Sequence, residues 1–243
     1  MPTAARADYA RAALEDLRWL GIDWDEGPDI GGPFAPYTQS QRSAAYLDAW
    51  RKLLHGGFIY PCRCSRKDLA AAVSAPHESN NPDPPNPLDD DEPVYPGTCR
   101  ALRAGDFRTS PEDAAAWRFR VPDGEAVEFT DLNLGPQRFI AGVDFGDFVV
   151  QRRDGVPSYQ LACVADDAAM QITEVVRGAD LLKSTARQIL LNRALAFADP
   201  QWFHCELVTD SEGRRLAKRS DALSIRALRE RGLTPQQVLS ESC

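Results

Sequence analysis

The sequence predicts an α/β fold built on a parallel sheet and carrying a zinc-binding insertion. Three observations lead there. Beyond residue 147, short apolar strand-like runs alternate with helical patterns, as β-α-β units require. From Ala116 to Gln151 the chain is strand-rich with a period of two, unlike the stretches on either side. Three cysteines and a tyrosine also gather around one short segment, in an order that suits a tetrahedral metal ion.

Taken in order, residues from about Ala4 to Leu20 read as a helix. Leu14, Leu17 and Trp19-Leu20 recur near helical spacing, and Gly21 suits the left-handed position after the last turn. Ser40 to Leu54 gives a second helix, with Tyr46, Trp50, Leu53 and Leu54 inward and Gly56-Gly57 ending it. Phe58 to Cys62 is a short strand. Pro76 to Pro93 is rich in Pro, Asn and Asp and cannot bury enough apolar surface to order itself, so a mobile loop is expected there. Trp117 to Val121 and Glu128 to Leu132 alternate as strands, and Phe148-Val149-Val150 is a further apolar run. Then follow a helix from about Pro157, a buried strand at Ile172 to Val176, a helix from Ser184 to Phe197 and a strand near Phe203 to Val208. Thr234-Pro235-Gln236-Gln237 reads as a capping box with proline at the first helical position.

Composition narrows the function classes. With 243 residues, 43% hydrophobic, the chain can bury a substantial core. No apolar run is long enough to cross a bilayer, and Met1 to Arg6 lacks a signal-peptide core. A cytoplasmic protein, with no membrane partner and acting as a monomer, is the expectation. Six cysteines without a secretion signal point to a metal or to buried thiols before disulfides. A net charge of −8 argues against indiscriminate nucleic-acid binding.

Cys62 and Cys64 sit one residue apart, and Tyr95 and Cys99 follow as Tyr-x-x-x-Cys. Two thiolates on a one-residue spacer and a third after an insertion can close on Zn²⁺. His77 falls inside the proline-rich stretch, so Tyr95 is the candidate fourth ligand. The alternative is three unrelated thiols, one of them in a strand. Cys163, Cys205 and Cys243 read as buried small apolar residues.

Arg177 follows a strand and precedes Gly178, where α/β sheets bind ligands, and its fork can hold a carboxylate. A salt bridge to Asp166 or Asp167 explains it equally well. Tyr159, in the first turn of the preceding helix, points toward the same edge, although core packing is the plainer reading. Lys218, within Arg215 to Ser220, could follow phosphate oxygens as charge develops. Taken alone, that segment is a solvated basic turn.

Together these segments resemble the glutamyl-tRNA synthetase group of class I aminoacyl-tRNA synthetases, nearly end to end. Glu15-Asp16-Leu17-Arg18-Trp19-Leu20-Gly21-Ile22-Asp23-Trp24-Asp25-Glu26-Gly27 is similar to the group's helix and turn after its second strand. Tyr37-Thr38-Gln39-Ser40-Gln41-Arg42 is similar to its next segment. Val176-Arg177-Gly178-Ala179-Asp180-Leu181 resembles the amino-acid-site strand, and Leu216-Ala217-Lys218-Arg219-Ser220 the KMSKS loop. The Cys-x-Cys…Tyr-x-x-x-Cys pattern and the stretch from Tyr159 to Asp167, with Cys163 where full-length synthetases often carry Asn, resemble the short glutamyl-Q branch. So does an end soon after the KMSKS-like loop, where no anticodon-binding domain is expected to follow.

The resemblance implies a Rossmann-type sheet and ATP-dependent activation of glutamate, with Mg²⁺, followed by transfer to the queuosine base of tRNA(Asp). It implies that Tyr159 and Arg177 contact glutamate, that Lys218 contacts ATP as the catalytic cation, and that Zn²⁺ is structural. It divides the chain into a first part of the catalytic domain (1–60), a zinc-binding insertion (61–147), the second half of the catalytic domain (148–208), and the KMSKS-like loop with C-terminal helices (209–243). One departure stands out. Members of the group open with a strand, a His-x-Gly-His signature and a second strand, and none of this is present. The first strands are therefore expected to be missing, through a late start or a gene decayed at its 5′ end. An inactive zinc-binding remnant and a glutamyl-tRNA synthetase fragment are the alternative functions.

Overall fold

Alternating strands and helices form the α/β frame that the sequence predicts. The computed structural model describes residues 4–65, 68, 94–102, 115–207 and 224–241. It clusters into two units, Ser43–Glu206 and a smaller one made of Met1–Arg42 with Leu207–Cys243.

The larger unit contains helix α2 (Ser43–His55), strands β1 (Ile59–Cys62), β2 (Ala116–Phe119), β3 (Ala126–Asp131), β4 (Gly135–Ile140) and β5 (Phe148–Gln151), helix α3 (Tyr159–Ala169), strand β6 (Glu174–Gly178), helix α4 (Leu182–Leu195) and strand β7 (Gln201–Cys205). Two sheets result. One has the order β4-β3-β7-β6, with β3, β7 and β6 parallel and β4 antiparallel to β3. The other is antiparallel, in the order β1-β2-β5. Leu53, Val127, Val150, Leu161, Ile189 and Leu191 belong to one buried cluster that joins α2, α3 and α4 to both sheets. Each such side chain contributes about 1.5–3 kcal/mol by leaving water.

Several strand boundaries differ from expectation, those of β2, β3, β6 and β7 among them. β6 begins two residues later than predicted, because Ile172 serves the end of α3. Gln171 takes a left-handed conformation (φ 56°), and Ile172 N–H donates to Asp167 C=O at 2.9 Å, five residues back. That pattern terminates a helix and uses up the apolar residue that follows. α4 ends the same way at Ala196 (φ 57°), with Phe197 N–H on Asn192 C=O, so the expected helix stops at Leu195 and β7 starts at Gln201. β6 is also not the buried strand expected. Among the described residues it is the outer strand of its sheet, and Val176 is 61% exposed.

In the smaller unit, α1 (Ala4–Trp19) ends at Gly21 (φ 83°), as predicted. α5 (Ile225–Glu230) meets it through Arg226, 3.0 Å from Glu15 and 3.4 Å from Asp16. α6 (Pro235–Glu241) carries the predicted capping box. Gln237 N–H donates to Thr234 Oγ1 at 3.3 Å, and Thr234 N–H donates to Gln237 Oε1 at 2.8 Å.

Candidate functional site

β1 delivers Cys62 at its last residue, paired with Ala116 of β2. Cys64 follows two residues on. Tyr95 and Cys99 come from a tight turn over residues 94–102, where Cys99 N–H donates to the Tyr95 hydroxyl oxygen at 2.9 Å. Gly146 lets that turn approach, since a Cβ there would stand 2.8 Å from Tyr95 N. The four predicted ligands therefore converge. The three sulfurs lie within 4.8 Å of one another. The Tyr95 oxygen is 3.4 Å from Cys62 Sγ and 3.5 Å from Cys64 Sγ, and Cys64 Sγ is 3.6 Å from Cys99 Sγ.

Zn–S bonds of about 2.3 Å and Zn–O bonds of about 2.0 Å give a tetrahedron with S···S edges near ~3.8 Å and S···O edges near ~3.5 Å. The donor spacing fits a single ion of this kind. Burial pushes the Tyr95 phenol and the Cys64 thiol up. Burial acts the same way on Cys99, but hydrogen bonds led by the Arg63 backbone bring its thiol below the ordinary value. A divalent cation would turn these donors into anions, and its contribution would be to clamp two distant chain segments together.

A second cluster forms around Arg177 in β6. Register places it beside His204 of β7, with Val175 beside Trp202. Its Nε donates to His204 Nε2 at 3.3 Å, its Nη2 donates to Thr185 Oγ1 at 2.6 Å, and its guanidinium lies 5.0 Å from the centre of the Trp202 ring. The salt bridge considered from sequence is not formed: Arg177 pairs with neither Asp166, which accepts from Tyr46 at 2.8 Å, nor Asp167, whose carboxyl it influences only from beyond ion-pairing distance. Burial pushes the Asp167 carboxyl up to about 6, with Arg177 only partly opposing it.

Ser158 caps α3 by accepting from Leu161 N–H, which sets Tyr159 in the first turn. Tyr159 is 50% exposed, so it is not a core residue. Its phenol is pushed up by burial, and next by Cys163, with Arg177 opposing. Cys163 is pushed up to about 11, chiefly by burial, and so remains an unreactive thiol.

Sequence reasoning missed the support behind Arg177. Asp131, at the end of β3, is buried, as are His204 and Thr185. Asp131 Oδ2 lies 2.6 Å from His204 Nδ1, and its Oδ1 accepts from the backbone N–H groups of Asn133 and Leu134. Arginine has only donors. His204 Nε2 must therefore accept, so Nδ1 carries the proton and donates to an ionised Asp131. Burial alone would raise the Asp131 carboxyl, but these hydrogen bonds, led by His204, bring it below the usual range. Nothing in the local sequence marks these residues, because strand pairing brings Asp131 and His204 together and α4 adds Thr185 from the side.

Lys218 with Arg215 to Ser220, the stretch Pro76 to Pro93 with His77, and Cys243 lie outside the described residues. Cys205 is exposed rather than buried, because it ends a strand whose buried positions are Trp202 and His204.

Residues 2–242 match the family model for the catalytic domain of class I tRNA synthetases specific for E and Q. The chain belongs to this family. It is 49% identical over 237 residues to the glutamyl-Q tRNA(Asp) synthetase of Symbiobacterium thermophilum, covering 97% of this chain and 70% of that one. It is 45% identical to the protein of the same name from Nitratidesulfovibrio vulgaris, covering 98% and 70%. Among solved structures, the glutamate-tRNA synthetase of Elizabethkingia anophelis superposes with a TM-score of 0.69 at 26% identity, covering 86% of this chain but only 42% of that one. The family supports the parallel α/β frame, and the chain spans less than half of that synthetase. Among the described residues no helix is long and apolar enough to cross a membrane.

Proposed function

We propose that this protein is an ATP-dependent ligase of the glutamyl-Q type, which activates glutamate and attaches it to the queuosine base of tRNA(Asp). The observation that carries this reading is the 49% identity to a glutamyl-Q tRNA(Asp) synthetase across nearly the whole chain. Arg177 supports it. Its guanidinium is braced by His204, Thr185 and Trp202 beside the half-exposed Tyr159, and no carboxylate of the described residues lies within ion-pairing distance of it. Such a fork is prepared for a substrate carboxylate.

In the first step a glutamate carboxylate oxygen attacks the α-phosphorus of ATP. An O–P bond forms, the bond to the β-phosphate oxygen breaks, and pyrophosphate leaves with Mg²⁺. In the second, a queuosine hydroxyl attacks the activated carbonyl, an ester forms and AMP departs. Arg177 and Tyr159 hold the amino acid, and Lys218 stabilises charge on the phosphate. Cys62, Cys64, Tyr95 and Cys99 hold a structural Zn²⁺ within the insertion 61–147. ATP and tRNA as substrates assign this chemistry to the cytoplasm.

The test supplies the full-length protein with labelled glutamate, ATP and tRNA(Asp) from cells that make queuosine and from cells that do not. Label should enter only the queuosine-bearing tRNA and survive removal of the 3′-terminal adenosine. Label on the 3′ end of either tRNA would make the protein a glutamate-tRNA ligase. No label, and no glutamate-dependent ATP–pyrophosphate exchange, would make it a non-catalytic relative.

A further inference from the structure

Arg118 stands opposite Tyr60 in the β1–β2 pairing and is only 5% exposed. Arginine keeps its charge at any ordinary pH, so burial must be offset by an anion or strong acceptors. Its contacts are few. Nη1 donates to the Asp147 backbone carbonyl at 2.7 Å, Nε donates to Cys62 Sγ at 3.4 Å, and the guanidinium lies 4.0 Å from the centre of the Tyr95 ring. The nearby Asp147 carboxylate is already committed. It accepts from Tyr60 at 2.7 Å and from Val121 N–H at 2.8 Å, and it pairs with Arg100 at 3.2 Å. Among the described residues Arg118 has no carboxylate within ion-pairing distance. Two of its three contacts are instead the sulfur and the ring of two metal donors.

We propose that Arg118 is the charge-balancing and positioning residue of the metal site. Three thiolates and a phenolate around a divalent ion leave the cluster net negative. Arg118 offsets that charge from inside the protein, while its N–H fixes the direction of the Cys62 lone pairs. This inference rests on the metal reading above. Arg118 is more favourable with the metal in place, because the metal-held sulfur of Cys62 is then the anion that its buried guanidinium faces.

The test compares the wild-type protein with R118M, which keeps length and loses charge, and R118K, which keeps charge and loses the fork. Zn²⁺ affinity is read by competition with a chromophoric chelator. Melting is followed on zinc-loaded and chelator-stripped samples. R118M should bind Zn²⁺ ~10–100-fold more weakly, with R118K between. R118M should melt lower than wild type when loaded, and by a smaller margin or not at all when stripped. With Co²⁺ as probe, the thiolate-to-metal absorption of R118M should move to lower energy, because the N–H···S bond is lost. Equal affinity in wild type and R118M would overturn the proposal. So would an equal drop in melting temperature with and without metal, which marks a merely structural arginine. If R118M does not fold, R118K decides by the same two readouts. A wild-type protein that takes up no Zn²⁺ overturns the metal reading itself, and this inference with it.

Discussion

The sulfur cluster and the Arg177 pocket are built in opposite ways. Cys62, Tyr95 and Cys99 are buried and already stand at the spacing one ion requires. Around Arg177 the supports are buried, but Tyr159 is half exposed and Val176 faces outward. A closed donor set suits a permanent structural ion, whereas a braced cation beside an open face suits a ligand that comes and goes. On the function proposed above, the difference separates two jobs in one unit, one holding distant chain segments together and the other presenting a charge.

That contrast can be broken at the cluster first, where the largest effect is expected. C62S should lose the metal and lower the melting temperature by on the order of 10 °C, because ligation and folding are coupled. C205S, at an exposed cysteine, should change neither. Elemental analysis with thermal denaturation checks both. Retained metal in C62S would remove Cys62 from the ligand set.

Next in size is the support behind Arg177. D131N removes a buried anion, and with its oxygen kept on the Asn133 and Leu134 N–H groups its amide nitrogen would face the His204 Nδ1 proton. Avoiding that clash means moving the proton to Nε2, where it meets the donors of Arg177. A loss of about 2–4 kcal/mol is expected in urea denaturation. The sign with pH follows from the depressed carboxyl. Its stabilisation is complete above the unfolded value of about 4 and is lost as the pH falls through the lower native value, so D131N should flatten the acid limb. An unchanged acid limb would mean that Asp131 titrates as it does in the unfolded chain.

A smaller, opposite effect is expected at Asp167. With a native value raised to about 6, the folded state holds its proton more tightly than the unfolded state does between about pH 4 and 6. Stability from this group therefore falls as pH rises through that window. D167N should remove the slope and stabilise the protein at pH 7 by about 1–3 kcal/mol. Destabilisation at pH 7 would show that the charged carboxylate is needed beside Arg177. Smallest of all is Y159F, expected to shift stability by less than about 0.5 kcal/mol at a half-exposed position, while weakening glutamate binding if the hydroxyl orients the substrate.

The two regions were also unequally legible from sequence. The cluster could be read from spacing, because Cys62-x-Cys64 and Tyr95 to Cys99 are local patterns with a known geometric demand. Arg177 and Tyr159 were legible as candidates, but Asp131, His204 and Thr185 were not. Asp131 and His204 lie far apart in the chain and meet through the parallel pairing of β3, β7 and β6, while Thr185 joins them from α4. Arg118 was hidden for a similar reason, since it read as one polar residue of an alternating strand. Helix ends show the same rule on a smaller scale. Gly21 and Gly57 take left-handed conformations and announced where α1 and α2 stop. Gln171 and Ala196 do the same work without glycine's signature, and there the predicted boundaries moved by two residues or more.

The claim that the two sites do separate jobs is tested most directly by glutamate binding to the full-length protein, measured calorimetrically for wild type and R177A, with zinc content determined on the same samples. The account predicts that R177A loses glutamate binding by at least about tenfold, as expected for a lost charge-assisted contact, while its zinc content and ATP binding stay at wild-type levels. Loss of zinc or of ATP binding together with glutamate, or undiminished glutamate binding by R177A, would contradict it.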